Sequence, residues 1–403
     1  MPHPARRQRL AVVVSHPIQH FVPFYRHLAQ DPAIELRVIY CSRIGLKRYF
    51  DRDMGVEVEW KMDLLSGYDH VFLPEADRIT DTSLLNVDNP SVVPELERFR
   101  PDIVKVNGYS HLTVLRTLYW CWRQGVPALM WSDSELLHER AGWRRALKAA
   151  VLPLIYRHFA GFLTVGDNNE AYLRHYGVRQ ERMFRTPFTI DEASFASVRP
   201  QRHAIRTTLR HELGISADAF VALFVGKLIE RKRPQDLLAA VTSLQQRLDT
   251  RPVHALFAGN GPMLATLQQR AASDEAACTF AGFVNVDQLP RYYCAADVLV
   301  HPAENDPHPL VTSEAAYLGL PLVLSDRVGC IGPTDTARSG ENTAVFRCGD
   351  VSALAEQLRQ LSQEPTRYSH MSSASLRIAT ELDVNRSVQG CRQAAVTLTA
   401  AAR

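Results

Sequence analysis

Two carboxylates eight positions apart, Asp306 and Glu314, mark the stretch HPAENDPHPLVTSEAAYLGLPLVLSD at residues 301–326 as one that could do chemistry. The apolar runs DVLVHP before it and PLVLSD after it read as buried strands, with a turn and a helix between them. Pro309 is expected to start that helix and Gly319 to end it. The first helical amides have no intrahelical partner, so Leu310, Val311 and Thr312 are expected to offer N–H donors to an anion, helped by the helix dipole. Glu314 in the second turn can accept hydrogen bonds from two vicinal hydroxyls of a ribose, and Asp306 can do the same for a sugar. The small and apolar neighbours in SEAAYLG imply that Glu314 is partly buried and needs a partner.

A second cluster follows the run AFVALFVG, where Gly226-Lys227-Leu228-Ile229-Glu230-Arg231-Lys232-Arg233-Pro234 places four cations within seven residues. Glycine permits close backbone approach, and cations at a strand end suit a diphosphate. Composition alone would favour a solvated loop; the position directly after a buried strand favours the phosphate. Open parallel sheets bind ligands beyond the carboxyl ends of their strands, and a nucleotide sugar fits both clusters.

These loops need strands to hold them. LAVVVS, IELRVIYC, PDIVKV, PALMWS and GFLTVG read as five buried strands of a first α/β domain. A polar, irregular stretch from Ser42 to Pro90 reads as a functional loop region. AFVALFVG, VHALFAG, CTFAGFV, DVLVHP, PLVLSD and TAVFR give six strands with helical patterns between them, a second Rossmann-like domain. The expected division is 1–195 and 196–383, with a final helix at about 384–403 free to pack back onto the first domain.

A length of 403 residues, 46% of them hydrophobic, is too much for one ordinary core. A formal charge of +3 points to no nucleic-acid partner. The seven cysteines are widely spaced and form no C-x-x-C pair, which argues against a disulfide framework or a zinc site and for thiols in a reducing cytosol. The basic start MPHPARRQRL leads into an apolar run that breaks at Ser15-His16-Pro17, too soon for a signal peptide, and no run reaches the ~18 residues of a spanning helix.

Several signals carry less. Asp51-Arg52-Asp53 matches a metal-holding D-x-D pattern, but no apolar strand leads into it and a loop is expected. His16 and His20 have zinc-like spacing without the rest of a zinc motif. Gly259-Asn260-Gly261 lacks the third glycine of a dinucleotide fingerprint, so no nicotinamide cofactor is expected. WRRALKAAVLPLIYRHF, residues 143–159, is either a lipid-facing helix or a core helix with Arg144, Arg145, Lys148 and Arg157 turned to water; the core reading is preferred.

The motifs G-K-L-x-x-x-K, A-G-N-G-P, F-A-G-F-V and D-x-H-P-L-x-x-x-E-A-A-x-x-G-L-P, in this order over residues 215–350, resemble those of the family 4 glycosyltransferases of GT-B architecture. S-H-P-I-Q-H-F-x-P-F-Y-R-x-L, W-K-M-D-L-L-S-G-Y-D-H and G-D-N-N-E-A-Y are similar to one bacterial branch of that family. The resemblance implies an α/β fold of two Rossmann-like doubly wound parallel-sheet domains facing a cleft. It also implies a nucleotide-diphosphate sugar as co-substrate, retention of anomeric configuration, and no required cofactor or metal. Carried over, Gly226, Lys227 and Lys232 with the amides of Leu310 and Val311 would hold the diphosphate, Glu314 the ribose, and the backbone of Phe283 and Val284 the base. Asp306, His16 and Asp133 would form the catalytic set, and Ser15, Gln19 and Ser134 the acceptor side. Asp306 is one methylene shorter than the family's usual glutamate, the usual Gly-Phe-Gly is absent at 307–309, and Lys227 replaces an arginine fork with a point charge.

The expected function is a retaining glycosyltransferase passing the sugar to a hydroxyl of a glycan or lipid-linked acceptor in bacterial surface polysaccharide or glycoconjugate synthesis. The expected place is the cytoplasm, with peripheral contact at the inner membrane face left open. A sugar-nucleotide epimerase or hydrolase of the same fold, or a catalytically silent nucleotide-sugar binder, are the alternatives.

Overall fold

Leu10 to Val14 are all buried because both faces of their strand are covered, which is why the run is continuously apolar rather than alternating. The computed structural model describes residues 7–51, 53–138, 142–247 and 251–401; Arg52 of the D-x-D pattern and the first six residues of the basic start lie outside them. In chain order the first elements are β1 (Gln8–Val14), α1 (Val22–Gln30), β2 (Ile34–Tyr40), β3 (Tyr49–Asp51), β4 (Val56–Val58), β5 (His70–Phe72) and α2 (Val92–Phe99). Then come β6 (Ile103–Asn107), α3 (Leu112–Gln124), β7 (Ala128–Ser132), α4 (Gly142–Tyr156), β8 (Gly161–Thr164), α5 (Asp167–His175) and β9 (Met183–Arg185).

Seven of these strands form a parallel sheet in the order β5-β2-β1-β6-β7-β8-β9. The edge strands β5 and β9 add to the five expected from sequence; at three residues each, HVF and MFR are too short to show a period. One compact unit comprises this sheet, with residues up to Arg48, Met62–Thr189 and those from Asp383 onward. One sheet face carries α2 to α5, and the other carries α1 and a helix from the far end of the chain, α14.

The second unit comprises Tyr49–Lys61 and Ile190–Leu382. The antiparallel β3–β4 hairpin thus groups with the second unit, although it is inserted between two strands of the first sheet; the expected structureless stretch contains these strands. Its elements are α6 (Glu192–Val198), α7 (Arg202–Glu212), β10 (Phe220–Val225), α8 (Pro234–Gln245), β11 (Val253–Ala258), α9 (Leu264–Ser273), β12 (Cys278–Gly282) and α10 (Leu289–Ala295). They continue with β13 (Val298–His301), α11 (Leu310–Tyr317), β14 (Leu322–Ser325), β15 (Thr343–Phe346), α12 (Val351–Gln363) and α13 (Pro365–Glu381), before α14 (Val384–Ala401). The six strands expected from sequence form one parallel sheet, β12-β11-β10-β13-β14-β15.

α14 belongs to the first unit, where its small face, Gly390, Cys391, Ala394 and Ala395, lies on the sheet. A Cβ on Gly390 would stand 2.1 Å from the carbonyl oxygen of Arg185, so the helix approaches as only glycine allows. α4 departs from the core reading: Leu152 and Tyr156 are buried, while Trp143 is 66% and Leu154 54% exposed. Among the described residues no helix is long and apolar enough to cross a membrane.

Each sheet has a point where strand order reverses, β1 against β6 and β10 against β13, and the loops leaving those paired strands carry the candidate residues. The loop after β11 braces the loop after β10. A Cβ on Gly259 would meet the Gly226 carbonyl oxygen at 1.8 Å, and Leu228 N–H donates to the Asn260 carbonyl at 2.8 Å. Gly259→Ala should therefore destabilise the second unit by about 1–3 kcal/mol through forced backbone displacement, read as a lower denaturant midpoint; an unshifted midpoint would contradict this packing.

Candidate functional site

At the reversal point of the second unit, β10 is followed by Gly226, whose φ of +136° suits a residue without Cβ. The chain then runs through Lys227 to a short turn, Glu230–Lys232, that brings Lys232 back beside the glycine. From the neighbouring β13, Asp306 meets it: Lys232 Nζ donates to Asp306 Oδ2 at 3.0 Å. His301, the last residue of β13, places Nε2 2.9 Å from the same oxygen. Burial alone would push Asp306 upward, but the His301 hydrogen bond and the Lys232 charge outweigh it and hold the carboxyl below the usual range. His301 is wholly buried and pushed down by that burial, so a neutral imidazole donating from Nε2 fits the geometry. Behind Asp306, Gly329 N–H donates to its carbonyl at 2.9 Å, and a Cβ on Gly329 would lie 2.0 Å from the Pro307 carbonyl oxygen.

Lys227 points to the hairpin. Its ammonium lies 3.0 Å from both carboxylate oxygens of Asp51 and 2.9 Å from Asp53 Oδ2. Asp51 ends strand β3, which corrects the expectation of a loop with no strand leading into it. Phe283 and Val284 follow β12, with Phe283 edge-on to Trp60 of the hairpin at a ring separation of 6.1 Å.

α11 starts one residue later than expected, with Pro309 as its cap. Leu310 and Val311 occupy the first turn, whereas the Thr312 amide is turned back to the Pro309 carbonyl at 3.3 Å and the residue is fully buried. Two of the three expected amides thus remain at the tip. Glu314 is partly buried, and its partner is the wholly buried Tyr293 of α10, whose hydroxyl donates to Oε2 at 2.5 Å. Burial pushes the Glu314 carboxyl up to about 7, with the tyrosine bond opposing.

In the first unit a cavity of about 480 Å³ opens at the carboxyl ends of β1, β6 and β7. Ser15, Asn107, His111, Asp133 and Ser134 supply its polar wall, and Phe21, Trp131 and Phe188 its aromatic wall. His16 joins through Ser15, whose Oγ is 2.9 Å from His16 Nδ1. Burial, with help from His111, lowers His16 to about 4, so its imidazole is neutral at pH 7. Gln19 opens the short turn Gln19–Phe21 that leads into α1. Beneath the wall Lys105 is wholly buried, lowered to about 7 by that burial, and lies 4.3 Å from the Trp131 ring while bonding Asn107.

The structure thus joins Lys232 with Asp306 and gathers Ser15, Asp133 and Ser134 on one cavity. It gives Lys227 different partners from Lys232. Reading by sequence passed over His301, Tyr293, Trp60, Asn107 and His111. His301 was visible only as a polar residue inside the apolar run DVLVHP.

Residues 205–377 match the family described as glycosyl transferases group 1. That region holds Gly226, Lys232, Asp306 and Glu314. A D-inositol 3-phosphate glycosyltransferase of Geodermatophilus obscurus is 32% identical over 206 residues, 48% of this chain and 43% of that protein. A putative teichuronic acid biosynthesis glycosyltransferase of Bacillus subtilis is 29% identical over 162 residues, 40% of this chain and 36% of that protein. The chain therefore spans less than half the length of these relatives. Anabaena HepE, solved in complex with UDP, aligns with a TM-score of 0.72 at 16% identity over 96% of this chain and 99% of its own. The fold is GT-B.

The Glu314 environment has a measurable consequence. Its folded value stands above the ordinary 4.5, so between 4.5 and about 7 the folded state holds a proton that the unfolded chain has lost. Stability should fall as pH rises through that window, by about 3 kcal/mol. In Glu314→Gln this part of the pH dependence of unfolding should vanish; an unchanged slope would refute the assignment.

Proposed function

We propose that the protein is a retaining glycosyltransferase that moves a sugar from a nucleotide-diphosphate donor to a hydroxyl of a glycan or lipid-linked acceptor, without a metal, in bacterial surface polysaccharide or glycoconjugate synthesis. The observation that carries this reading is the Lys232–Asp306–His301 cluster at the strand-order reversal of the second sheet. The glycosyltransferase names of the relatives support it.

On this reading the second unit holds the donor. Lys232, Lys227 and the amides of Leu310 and Val311 take the diphosphate, and Glu314 takes the ribose hydroxyls, with Tyr293 fixing its rotamer. Phe283 and Val284 present backbone to the base. As the glycosidic bond breaks, charge builds on the β-phosphate, and fixed cations and amides stabilise that charge more than they stabilise the bound donor. Asp306, kept ionised by His301 and Lys232, accepts from hydroxyls of the donor sugar. The acceptor occupies the cavity of the first unit, where an aromatic wall suits the faces of a sugar ring. There Ser15 and Ser134 exchange hydrogen bonds with its hydroxyls, and Gln19 borders the entrance. Neutral His16, acting through Ser15, and Asp133 orient the attacking hydroxyl, and the leaving phosphate takes its proton on the same face.

A screen of UDP-, GDP-, ADP- and dTDP-sugars by thermal shift, followed by proton NMR of the product anomer, tests the assignment; an inverted anomer would reject retention. Lys232→Ala and Glu314→Ala should each weaken donor affinity by about 1.5–3 kcal/mol, roughly 10- to 150-fold in Kd. Calorimetric titration showing parental affinity in both variants would remove the donor site from this place.

The exposed side of α3 and α4 supports an anionic membrane surface as the place where a lipid-linked acceptor is met. Leu115, Tyr119 and Trp122 on α3 and Trp143, Leu147, Val151 and Leu154 on α4 are exposed. Arg123, Arg144 and Arg145 accompany them, and neither helix contains a carboxylate. Phosphatidylglycerol vesicles should co-sediment the protein at low salt and phosphatidylcholine vesicles should not. Trp143→Ser/Leu147→Ser should abolish the effect, and equal pelleting of parent and variant would count against this surface.

A further inference from the structure

Lys227 has three ammonium protons and three carboxylate oxygens within 3.0 Å, two from Asp51 and one from Asp53. The two Asp51 oxygens share one N–H, so the two carboxylates between them engage two of the three donors and set two negative charges against the one cation. A phosphate that approaches Lys227 therefore competes with two carboxylates for the same cation, and two negative groups already around it repel a third. The same hairpin reaches the other end of the proposed nucleotide site. Trp60 lies edge-on to Phe283, and Asn285, next to the 283–284 backbone, both donates to the Glu59 carbonyl at 2.6 Å and accepts from Lys61 N–H at 3.2 Å. The two ends are held differently: a side-chain amide clasps backbone at Glu59–Lys61, whereas the tip is held by ion pairs to Lys227, itself 30% exposed, from Asp53 at 64% and Asp51 at 12% exposed. Exposed ion pairs exchange partners readily, while backbone clasped by an amide keeps its register.

Resting on the reading that Lys227 serves the donor diphosphate, we infer that the hairpin Tyr49–Lys61 is an internal competitor for the donor. Asp51 and Asp53 occupy the diphosphate's contacts on Lys227 in the donor-free protein, and the tip swings out on the Asn285 clasp when a nucleoside diphosphate binds. Donor affinity is then set by the difference between a phosphate and two carboxylates at one lysine. This carboxylate pair is a determinant of how strongly the site retains donor and released nucleoside diphosphate.

The test titrates UDP, GDP and ADP calorimetrically into the parent and into D51N/D53N, which keeps the shape of both side chains and removes their charge. The nucleotide bound best should bind the variant about tenfold tighter, an effect of the size that partly exposed ion pairs carry. Hydrogen exchange on the parent supplies a second readout that needs no substitution. Saturating nucleotide should raise exchange in 49–58 and leave 59–61 protected. Equal or weaker binding by D51N/D53N, or increased protection of 49–58, overturns the competitor while leaving the donor site intact. Failure of all three nucleotides to bind either protein overturns the donor site, and the competitor with it.

Discussion

The placement of one carboxylate organises the second unit. Asp306 sits beyond the end of β13, largely out of water, and such a group stays ionised only where fixed partners replace its hydration. Lys232 comes from the loop of the adjacent strand β10, and His301 from the end of its own strand, so the ion pair ties together two loops on either side of the strand-order reversal. Each loop is braced from behind by a neighbour: Gly259 presses against the β10 loop, and Gly329 against residues 306 and 307. Neither glycine can carry a side chain without moving main chain. The charges are thus held by backbone packing rather than by long flexible side chains alone, which lowers the ordering a ligand must impose.

The two units use one architectural rule for different chemistry. At the reversal of the second sheet the groups are charged and paired, suited to a ligand that is itself an anion. At the reversal of the first sheet the cavity is lined by aromatic rings, hydroxyls, the Asn107 amide and a single carboxylate, Asp133, and nearby His16 and His20 are both kept neutral by burial. A mostly uncharged polar surface of that kind fits hydroxyl-rich molecules, whose hydrogen bonds are numerous and individually weak. Lys105, lowered to about 7 by its burial, extends the pattern, because its hydrogen bond to Asn107 fixes an amide in the cavity wall.

The strands of the second sheet were legible because FVALFV, VHALFA and VLVH are apolar runs closed by glycine or proline. The loops carrying Lys227, Lys232 and Asp306 were legible because they follow such runs, and Glu314 because Pro309 and Gly319 bracket its helix. What remained hidden is what distance in the chain conceals. The partner of Lys227 is Asp51, 176 positions away, and no local pattern encodes that pairing. Tyr293 lay in a helix whose neighbours look like ordinary core, so its hydroxyl gave no sign of its carboxylate partner. α4 misled for another reason: WRRALKAAVLPLIY is apolar enough for a core, but burial depends on a covering layer supplied by other segments, and among the described residues none covers Trp143 or Leu154.

α14 brings the end of the chain to the first sheet, where Ser387 and Thr399 hydrogen-bond to Pro187 and Gln8. Synthesis from the ribosome delivers this helix only after every residue of the second unit. Until it emerges, the apolar sheet face around Leu10, Leu129 and Leu163 has no cover from it, whereas the second unit draws on no segment beyond Leu382. Completion of the first unit consequently waits for translation of the whole second unit, whose sequence interrupts it.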